Sequence, residues 1–327
     1  MKATSLPLLA ARIGAAAALA LVPFWSQAQA WPAQTIKIIV PFTPGTGMDT
    51  IARTISPKLS ERLGQPVIVQ NTPGASGNIG ADMVAKAPGD GYTVLMGANT
   101  MLMASQLYQK VPFNPVKDFS SVSMAARGTL MLVANPKTGI TSMQDLIARA
   151  KARPGQITYG SPGIGTPHHM AMELFKTQAG IFMLHVPYKG TSGYVQDLLS
   201  GELMVGFLPI HVAQGFVGSG KLTALAVGSP KRNPVAPGVP TIDELGLKGV
   251  NVDMWYAFFV PSQTPAPVVH RLHDELEAIL TQPDVRNVFS KAGLDAASSS
   301  PAELADVVNR DYRRWGAVIQ RNAINAE

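Results

Sequence analysis

The sequence predicts an α/β protein made of two lobes. Short apolar runs alternate with segments whose apolar residues recur at helical spacing, first over residues 36–96 and again over residues 130–227. Such alternation is typical of parallel strands joined by right-handed helical crossovers. Because this rhythm stops and then starts again, we expect two sheets, one in each lobe.

The first lobe is predicted from a strand–helix–strand–helix–strand series. Strands are expected at Ile36–Val40, Val67–Asn71 and Thr93–Met96, with helices at about Thr50–Leu63 and Gly80–Ala87. The segment from Pro41 to Gly47 contains two prolines and two glycines and cannot continue the first strand. A turn therefore separates the first strand from the first helix.

The second lobe repeats the alternation, and a closing segment follows it. Strands are expected at Leu130–Ala134, Ile157–Gly160, His185–Pro187, Met204–Phe207 and Thr223–Val227, with helices at Ser142–Ala152, His168–Gly180 and Tyr194–Ser200. The closing segment predicts a strand at Trp255–Val260 and helices at Pro265–Gln282 and Pro301–Asn325. Ser300 and Glu303 are spaced as the capping pair of the last helix.

We expect the closing segment to return to the first lobe. Lobe 1 then comprises residues 31–126 plus 255–327, and lobe 2 comprises residues 127–254. The chain crosses between the lobes near Ala125–Thr129 and near Asp253–Trp255. Two crossings form a hinge, and a hinge over a cleft allows a ligand to draw two lobes together.

The first thirty residues have the pattern of an export signal. Lys2 and Arg12 precede an apolar stretch from Ile13 to Phe24, and Ala28-Gln29-Ala30 is a small-residue cleavage motif. We expect a signal peptide at residues 1–30, cleaved after Ala30, and an exported mature protein that begins at Trp31. The alternative is an uncleaved membrane anchor, which the apolar stretch disfavours because a membrane-spanning helix needs ~20 apolar residues.

Composition excludes several functional classes. The chain has no cysteine, which rules out disulfides, thiolate metal sites and thiol nucleophiles. Its net charge of +6 is scattered, without the basic clusters and interleaved aromatic residues of a nucleic-acid surface. His168 and His169 are adjacent, a poor spacing for chelating one metal ion. We therefore expect a small anionic ligand and no nucleic acid, metal or cofactor.

Four glycine-rich turns stand where a predicted strand meets a helix. They are Thr43–Asp49, Thr72–Asn78, Ala98–Met101 and Ser161–His169. Ligands of open α/β sheets bind outside the carboxyl ends of the strands, so these turns should converge on one crevice. Free N–H groups at helix N-termini suit a carboxylate or phosphate. The turns add neutral donors, whose alternative role is to cap helices and turns: Thr43, Thr46, Ser76, Asn78, Asn99, Thr100, Ser161 and Thr166.

The same segments resemble the substrate-binding receptors of tripartite tricarboxylate transporters, the Bug/TctC family. The resembling segments are 40–49, 71–81, 90–93, 163–170, 173–176 and 185–190, and the resemblance spans essentially the whole mature chain. It implies a type II periplasmic binding protein fold, with two Rossmann-like lobes, a hinge and an interlobe cleft. It also implies that backbone groups and ordered water of lobe 1 hold one ligand carboxylate, while lobe 2 selects the rest of the ligand.

Carried over by position, the resemblance puts the carboxylate near Thr43, Gly47, Asp49, Ser76 and Asn78. Together with the other polar groups of the turns and the positions where the family pattern changes, this gives the full set of candidate ligand-binding residues. They are Thr43, Gly47, Met48, Asp49, Ser76, Gly77, Asn78, Asn99, Thr100, Ser161, Gly165, Thr166, His169, Tyr188 and Leu208. Asp49 is better explained as the N-cap of its helix, since its charge would repel a carboxylate. His169 has two open roles, donation to the ligand or donation to a neighbouring carbonyl. Tyr188 either lines the cleft or packs in the core.

The chain departs from the family pattern at positions that bear on specificity. Thr46 and Met48 add bulk to the first loop. Many relatives carry an aspartate after the strand at Met204–Phe207, where this chain has Leu208-Pro209. Without that acid a ligand ammonium group has no evident partner. The prediction is a dicarboxylate or an aromatic acid in preference to an amino acid.

The predicted function is that of a monomeric receptor, not an enzyme. It captures a carboxylate by lobe closure and delivers it to membrane transporter subunits. The sequence leaves open a second class, a ligand-sensing receptor for a two-component histidine kinase. A third reading is a hydrolase using Ser76, His169 and Asp49, but the chain lacks a complete Gly-x-Ser-x-Gly elbow. The Gly215–Lys221 run imitates a phosphate loop, yet Leu222 stands where Ser or Thr would coordinate magnesium.

Overall fold

The computed structural model describes residues 31–252 and 254–325. The predicted signal peptide at residues 1–30 and Asp253, part of a predicted crossing, lie outside the described residues. The chain from Gln34 onward forms one compact unit. No helix of the described ranges is both long enough and apolar enough to cross a bilayer.

Within the described ranges, eleven strands form two sheets. The strands of the first sheet are β1 (Ile36–Val40), β2 (Val67–Asn71), β3 (Thr93–Ala98), β4 (Phe119–Gly128), β10 (Met254–Pro261) and β11 (Leu294–Ala296). Those of the second sheet are β5 (Leu130–Ala134), β6 (Thr158–Ser161), β7 (Leu184–Pro187), β8 (Val205–Pro209) and β9 (Thr223–Val227). The spatial orders are β11-β4-β10-β3-β1-β2 and β7-β6-β8-β5-β9. The α/β fold class predicted from the alternation is confirmed.

The helices follow the strands closely along the chain. They are α1 (Gly47–Leu63), α2 (Asn78–Ala85), α3 (Thr100–Leu107), α4 (Met143–Ala152), α5 (Pro167–Ala179), α6 (Thr191–Ser200), α7 (Ile210–Gly218), α8 (Ala266–Leu280), α9 (Pro283–Lys291) and α10 (Pro301–Arg321). The predicted start of α10 is confirmed: Ser300 and Glu303 form a reciprocal capping box. Short 3₁₀ turns occur at Ala75–Gly77 and Pro136–Thr138.

The parallel pairing predicted for the strand–helix series is confirmed, but each sheet also contains antiparallel strands. β1 pairs in parallel with β2 and β3, as expected, and β6 pairs in parallel with β7 and β8. However, β10 runs antiparallel to β3 and β4, and β5 runs antiparallel to β8 and β9. The direction of these strands is set by where the chain re-enters a sheet, which local hydrophobic periodicity does not encode.

The alternation of apolar runs gives no prediction for β4 and β11. The β4 strand reads Phe-Ser-Ser-Val-Ser-Met-Ala-Ala-Arg-Gly, and its small residues resemble a loop more than a strand. It is nevertheless largely buried, because β10 and β11 cover its two edges. This segment is therefore a strand because β10 and β11 pair with it, and not because of its own residue pattern.

The core of the first sheet is built around β10. All eight residues of this strand are buried, and Trp255 and Phe259 pack with Leu304 and Val308 of α10. The indole Nε1 of Trp255 donates a hydrogen bond of 2.8 Å to Asp311 Oδ2. A buried indole N–H without a partner would be costly, so this bond fixes the helix against the strand.

The chain passes between the two sheets at two places. Thr129 joins β4 of the first sheet to β5 of the second, and the segment that includes residues 228–252 leads from β9 back to β10. Lobe boundaries at residues 126/127 and 254/255 therefore stay a prediction, since residues from Gln34 onward group as one unit.

Candidate ligand-binding site

The first turn, between β1 and α1, is held by a buried carboxylate. Thr46 caps the helix by accepting a bond from Asp49 N, so the prediction that Asp49 is the N-cap is wrong. Asp49 is instead the third helical residue and accepts hydrogen bonds from Gly45 N, Arg53 Nε and Asn71 Nδ2 at 2.9–3.0 Å.

Asp49 is ionised and neutralised within its own turn. Burial acts to raise the pKa of Asp49, but the hydrogen bonds from Arg53, Gly45 and Asn71 outweigh it and hold that pKa below its usual value. Its oxygens are thus committed to the protein. The carboxylate therefore shapes the turn before α1.

The second turn, between β2 and α2, has a constrained backbone. Ala75 and Ser76 have φ values of +46° and +53°, which side-chain-bearing residues rarely adopt. The Ser76 hydroxyl lies 3.2 Å from the Tyr108 hydroxyl. Buried side-chain oxygens without a hydrogen-bond partner occur here and in the first turn, on Thr43, Thr72 and Asn78. Such atoms require a partner from water or ligand.

The third turn, between β6 and α5, is held by its own polar groups. Thr166 caps α5 and donates to Gly163 O at 2.7 Å. Ser161 Oγ donates to Gly163 O at 3.0 Å and lies 2.8 Å from His185 Nε2. His169 Nδ1 accepts a hydrogen bond from Gly165 N at 3.2 Å. This nitrogen therefore does not donate to a ligand or to a carbonyl, the two roles expected for the ring.

A stack of three rings lies beneath the third turn. The ring of His185 stacks on Tyr159 at 4.7 Å and on His169 at 4.3 Å. Burial lowers the pKa of His169 and of His185 to about 3, assisted in His169 by the charge of Lys176. Both rings are therefore neutral at neutral pH. The hydroxyl of Tyr159 donates to Glu173, which also binds Lys176 Nζ at 2.6 Å.

The N-terminal ends of five helices meet around one cavity, which we call the helix-end cavity. They belong to α1, α3, α5, α6 and α7, with α1 and α3 beside the first sheet and the others beside the second. The lining consists of Phe42, Thr46, Gly47, Met48, Ala98, Asn99, Thr100, Pro162, Thr166, Pro167, His168, Thr191, Pro209, Met254 and Tyr256. Within the described residues this lining contains no Asp, Glu, Lys or Arg.

Three of these five helices begin without a side-chain cap. They are α3, α6 and α7, whereas α1 and α5 are capped by Thr46 and Thr166. The N-terminus of each helix carries the positive end of the helix dipole, although in α7 the first N–H already donates to Thr129 O at 2.9 Å. The helix-end cavity is therefore electropositive without a charged side chain.

A second cavity, the Ser76 cavity, adjoins the first through Phe42 and Pro162, which line both. Its other lining residues are Pro73, Gly74, Ala75, Ser76, Gly77, Ile79, Tyr108, Gly163, Ile164, Pro187, Tyr188 and Lys189. Lys189 supplies a positive charge, and in the part of the chain that the structure describes no acidic residue lines this cavity.

The structure brings about half of the predicted site residues to these cavities. Gly47, Met48, Asn99, Thr100 and Thr166 line the helix-end cavity, and Ser76, Gly77 and Tyr188 line the Ser76 cavity. Thr43, Asp49, Asn78, Ser161, Gly165, His169 and Leu208 line neither. Leu208 is fully buried with Met131 and Val133 in the core of the second sheet, and its contact with the ligand stays a prediction. The next residue, Pro209, lies at the cavity instead.

Sequence reasoning missed several lining residues. His168 and Thr191 each stand at the start of a predicted or observed helix beside a glycine-rich turn, a signal that was available. Met254 and Tyr256 could not be found this way, because their place depends on β10 inserting between β3 and β4. Phe42 follows the first strand and faces both cavities.

Glycines of the second-sheet turns touch the first-sheet elements closely. A Cβ atom on Gly163 would lie 2.5 Å from Ser76 Oγ, one on Gly165 2.6 Å from Ala104 Cα, and one on Gly190 2.5 Å from Thr43 Oγ1. These distances are too short for real atoms. Only glycine therefore allows the two sides to approach this closely.

The geometry assembles neither a metal centre nor a nucleophile–base pair from the residues suggested earlier. In the described ranges, no group of three or more His, Cys, Asp or Glu could hold a metal ion. Ser76 Oγ lies against the Tyr108 hydroxyl, while His169 Nδ1 accepts from Gly165 N. The serine is thus not paired with the histidine as a hydrolase would require.

The chain is similar to a known protein family and to several solved structures. The family model described as tripartite tricarboxylate transporter family receptor, TctC, matches residues 51–324. The chain is 34% identical to Protein BugT of Bordetella pertussis over 90% of each chain. It superimposes on R. palustris Rpa4515 with adipate at a TM-score of 0.85 (32% identity, 90% of this chain and 99% of that one). For MatC of Rhodopseudomonas palustris with bound malate the TM-score is 0.84 (29% identity, 88% and 100%).

These matches run over nearly the whole length of the chain and agree with its two-sheet fold. The family and its solved relatives are binding proteins, which confirms the prediction of a receptor and not an enzyme. The chain belongs to the TctC family of tripartite tricarboxylate transporter receptors.

Proposed function

We propose that this receptor captures a small carboxylate between its two lobes and delivers it to the membrane subunits of a tripartite tricarboxylate transporter. The observation that carries the proposal is the convergence of five helix N-termini on a cavity without charged side chains. Helix N-termini favour anions, and neutral donors lower the cost of desolvating the empty site compared with a buried charge.

The carboxylate binds on the first-sheet side of the helix-end cavity. Thr46 and Gly47 at the start of α1, and Thr100 at the start of α3, present N–H and hydroxyl groups there. Thr43 and Asn78 line neither cavity, but their buried oxygens have no hydrogen-bond partner, which suits ordered water between them and the ligand. Backbone groups and ordered water would thus hold the anion.

The ligand class follows from the charges of the lining. Neither cavity contains an acidic residue in the described residues, so an ammonium group would be buried without a partner. A dicarboxylate or an aromatic acid is therefore favoured over an amino acid. Two solved relatives, one with adipate and one with bound malate, support a carboxylate ligand.

Ligand binding closes the lobes, residues 31–126 plus 255–327 against residues 127–254. The close approaches of Gly163, Gly165 and Gly190 to the first-sheet side support a closed arrangement that requires small residues at the contact. The hinge lies where the chain passes between the sheets, and the receptor acts as a monomer. Lobe closure completes ligand binding, and no chemical step takes place.

The protein acts in the periplasm, after cleavage following Ala30 has removed residues 1–30. A relative described as periplasmic binding protein BugD, 28% identical with a TM-score of 0.85, supports this location. Mass determination of the exported protein tests it: the expected N-terminus is Trp31.

Calorimetric titration of the purified protein tests the function. We expect at least one carboxylic acid of a broad panel to bind with micromolar or better affinity, and its amino-acid analogue to bind more weakly. Solution scattering should show contraction on saturation. Silence across the panel, or identical scattering with and without a bound acid, contradicts the proposal. Co-purification with a histidine kinase in place of transporter subunits would reassign the partner.

A further inference from the structure

His168 is the one histidine of the helix-end cavity lining in the described residues. It occupies the second position of α5, on the second-sheet side, and is only 8% exposed. Neither of its ring nitrogens has a hydrogen-bond partner. Its ring meets Tyr194 edge to face at 6.3 Å, a contact that uses no ring nitrogen as a hydrogen-bonding group.

The other histidines of this region are committed to the protein. His169 Nδ1 accepts from Gly165 N, and His185 Nε2 lies 2.8 Å from Ser161 Oγ. Burying an imidazole with two unpaired nitrogens costs free energy that folding alone does not recover. The cost is recovered if the ring gains a partner in the bound state.

The ring of His168 is neutral. Burial lowers its pKa to about 3, and no charged side chain of the described residues lines the same cavity. A neutral imidazole offers one N–H donor and one acceptor. A hydroxyl group is likewise both donor and acceptor, so it pairs with whichever ring nitrogen faces it.

A second carboxylate would fit this end of the cavity less well. It accepts only, and it would bring a second charge into a site without a charged side chain. An apolar end would leave both nitrogens of His168 unpaired. The far end of the ligand is therefore expected to be polar and uncharged.

We propose that His168 is the specificity-determining residue of the helix-end cavity and that the ligand is a carboxylic acid with a hydroxyl group at its far end. This proposal rests on the proposed function, and within the carboxylic acids it favours a hydroxy acid over the dicarboxylates that the proposed function also allows. The carboxylate lies at the ends of α1 and α3, and the hydroxyl group meets His168 across the cavity.

The test compares acids that differ at one end only. One series is hexanoate, 6-hydroxyhexanoate and adipate, and the other is benzoate, 4-hydroxybenzoate and terephthalate. Each is titrated into the wild-type protein and into the variants His168→Leu, His168→Gln and His270→Leu. His270 lies on α8 outside the helix-end cavity and is the matched control.

In the better-binding series we expect the hydroxy acid to bind wild type at least tenfold more tightly than the other two acids. His168→Leu should weaken the hydroxy acid about tenfold, the loss expected for one buried hydrogen bond, and leave the unsubstituted acid unchanged. His168→Gln should recover part of the loss, and His270→Leu should match wild type. Unliganded His168→Leu should melt at or above the wild-type temperature, because it removes an unpaired buried polar group.

Two results overturn the proposal and leave the receptor function standing. One is a diacid or an unsubstituted acid as the tightest ligand of both series. The other is an equal loss for all three acids in His168→Leu, or a lower melting temperature of that variant, which would show a structural role. If none of the six acids binds and the broad panel is also silent, the proposed function itself fails.

Discussion

The two sides of the helix-end cavity are stabilised in different ways. On the first-sheet side the turn before α1 is held by an ionised carboxylate, Asp49, with Arg53 and Asn71 as its partners. On the second-sheet side the turn before α5 is held by neutral groups, with His169 and His185 stacked beneath it. The first-sheet side thus depends on an ionised carboxylate that lies outside the cavity. The second-sheet side depends on histidine rings that must stay unprotonated.

Acid should separate the two sides, and this is the largest effect expected. The pKa of His169 and His185 is lowered to about 3 in the folded protein, below the usual ~6.5 of the unfolded chain. Their stabilisation is therefore complete above about pH 6.5 and is lost as the pH falls toward 3. Each contributes at most about 3 kcal/mol of the loss between pH 6.5 and 4.

Asp49 has the same sign but a lower pH window. Its folded pKa lies below its usual value, so its contribution persists above about pH 4 and disappears only at lower pH. Hydrogen exchange measured at pH 4.5 and 7.5 should thus show faster opening of α5 and β7 at the lower pH, after correction for intrinsic rates, with α1 unchanged. Equal loss of protection on both sides would contradict the comparison.

The substitution Gly165→Ala should prevent the turn before α5, on the second-sheet side, from contacting α3 on the first-sheet side. Its new Cβ would lie 2.6 Å from the Cα of Ala104, so ligand affinity should fall about 100-fold, or roughly 2.7 kcal/mol. Gly180→Ala is the control, since Gly180 also has a left-handed φ, +61° against +74°, but nothing within 4 Å. Both variants should lose about 1 kcal/mol of stability from backbone strain. Titration calorimetry should find the affinity of Gly180→Ala unchanged, and a matching loss in both would refute the contact.

Asp49→Asn should destabilise the first side by about 2 kcal/mol, because hydrogen bonds to a buried charged group are lost. Asp145 provides a matched control: it is the third residue of α4, pairs with Arg149 four residues later and accepts from Thr141 N. That pair is exposed to solvent, and its substitution should cost much less stability than Asp49→Asn. Urea unfolding measures both. Similar losses would mean that burial of Asp49 adds nothing.

Thr46→Ala should have the smallest effect on stability, about 1 kcal/mol, as expected for loss of an N-cap. Because Thr46 also lines the helix-end cavity, this variant should weaken ligand binding, whereas Ser142→Ala at the start of α4 should lose stability alone. Thermal melts with and without ligand separate the two effects. A binding defect in Ser142→Ala would show that capping as such, and not the cavity, controls affinity.

The parts of the site that are built from residues close together in the chain could be predicted from the sequence. The turns at 43–49, 72–78 and 161–169 are fixed by glycine, proline and capping residues, and each lies next to a helix start as expected. Pattern reasoning failed where tertiary context decides. Asp49 looked like a cap, but the turn placed Thr46 there and surrounded Asp49 with Asn71 and Arg53.

The remaining differences come from sheet order. Met254 and Tyr256 reach the cavity because β10 inserts antiparallel between β3 and β4, which no local period reveals. Leu208 and Pro209 alternate across β8, so a one-residue difference decides which of them lies in the core and which at the cavity.

A crystal structure with the tightest-binding acid tests the central claim most directly. The account predicts one carboxylate within hydrogen-bond distance of the N-terminal groups of α1 and α3, directly or through one water, with no charged side chain in contact. A carboxylate paired with Lys189, or bound away from the helix ends, would contradict it.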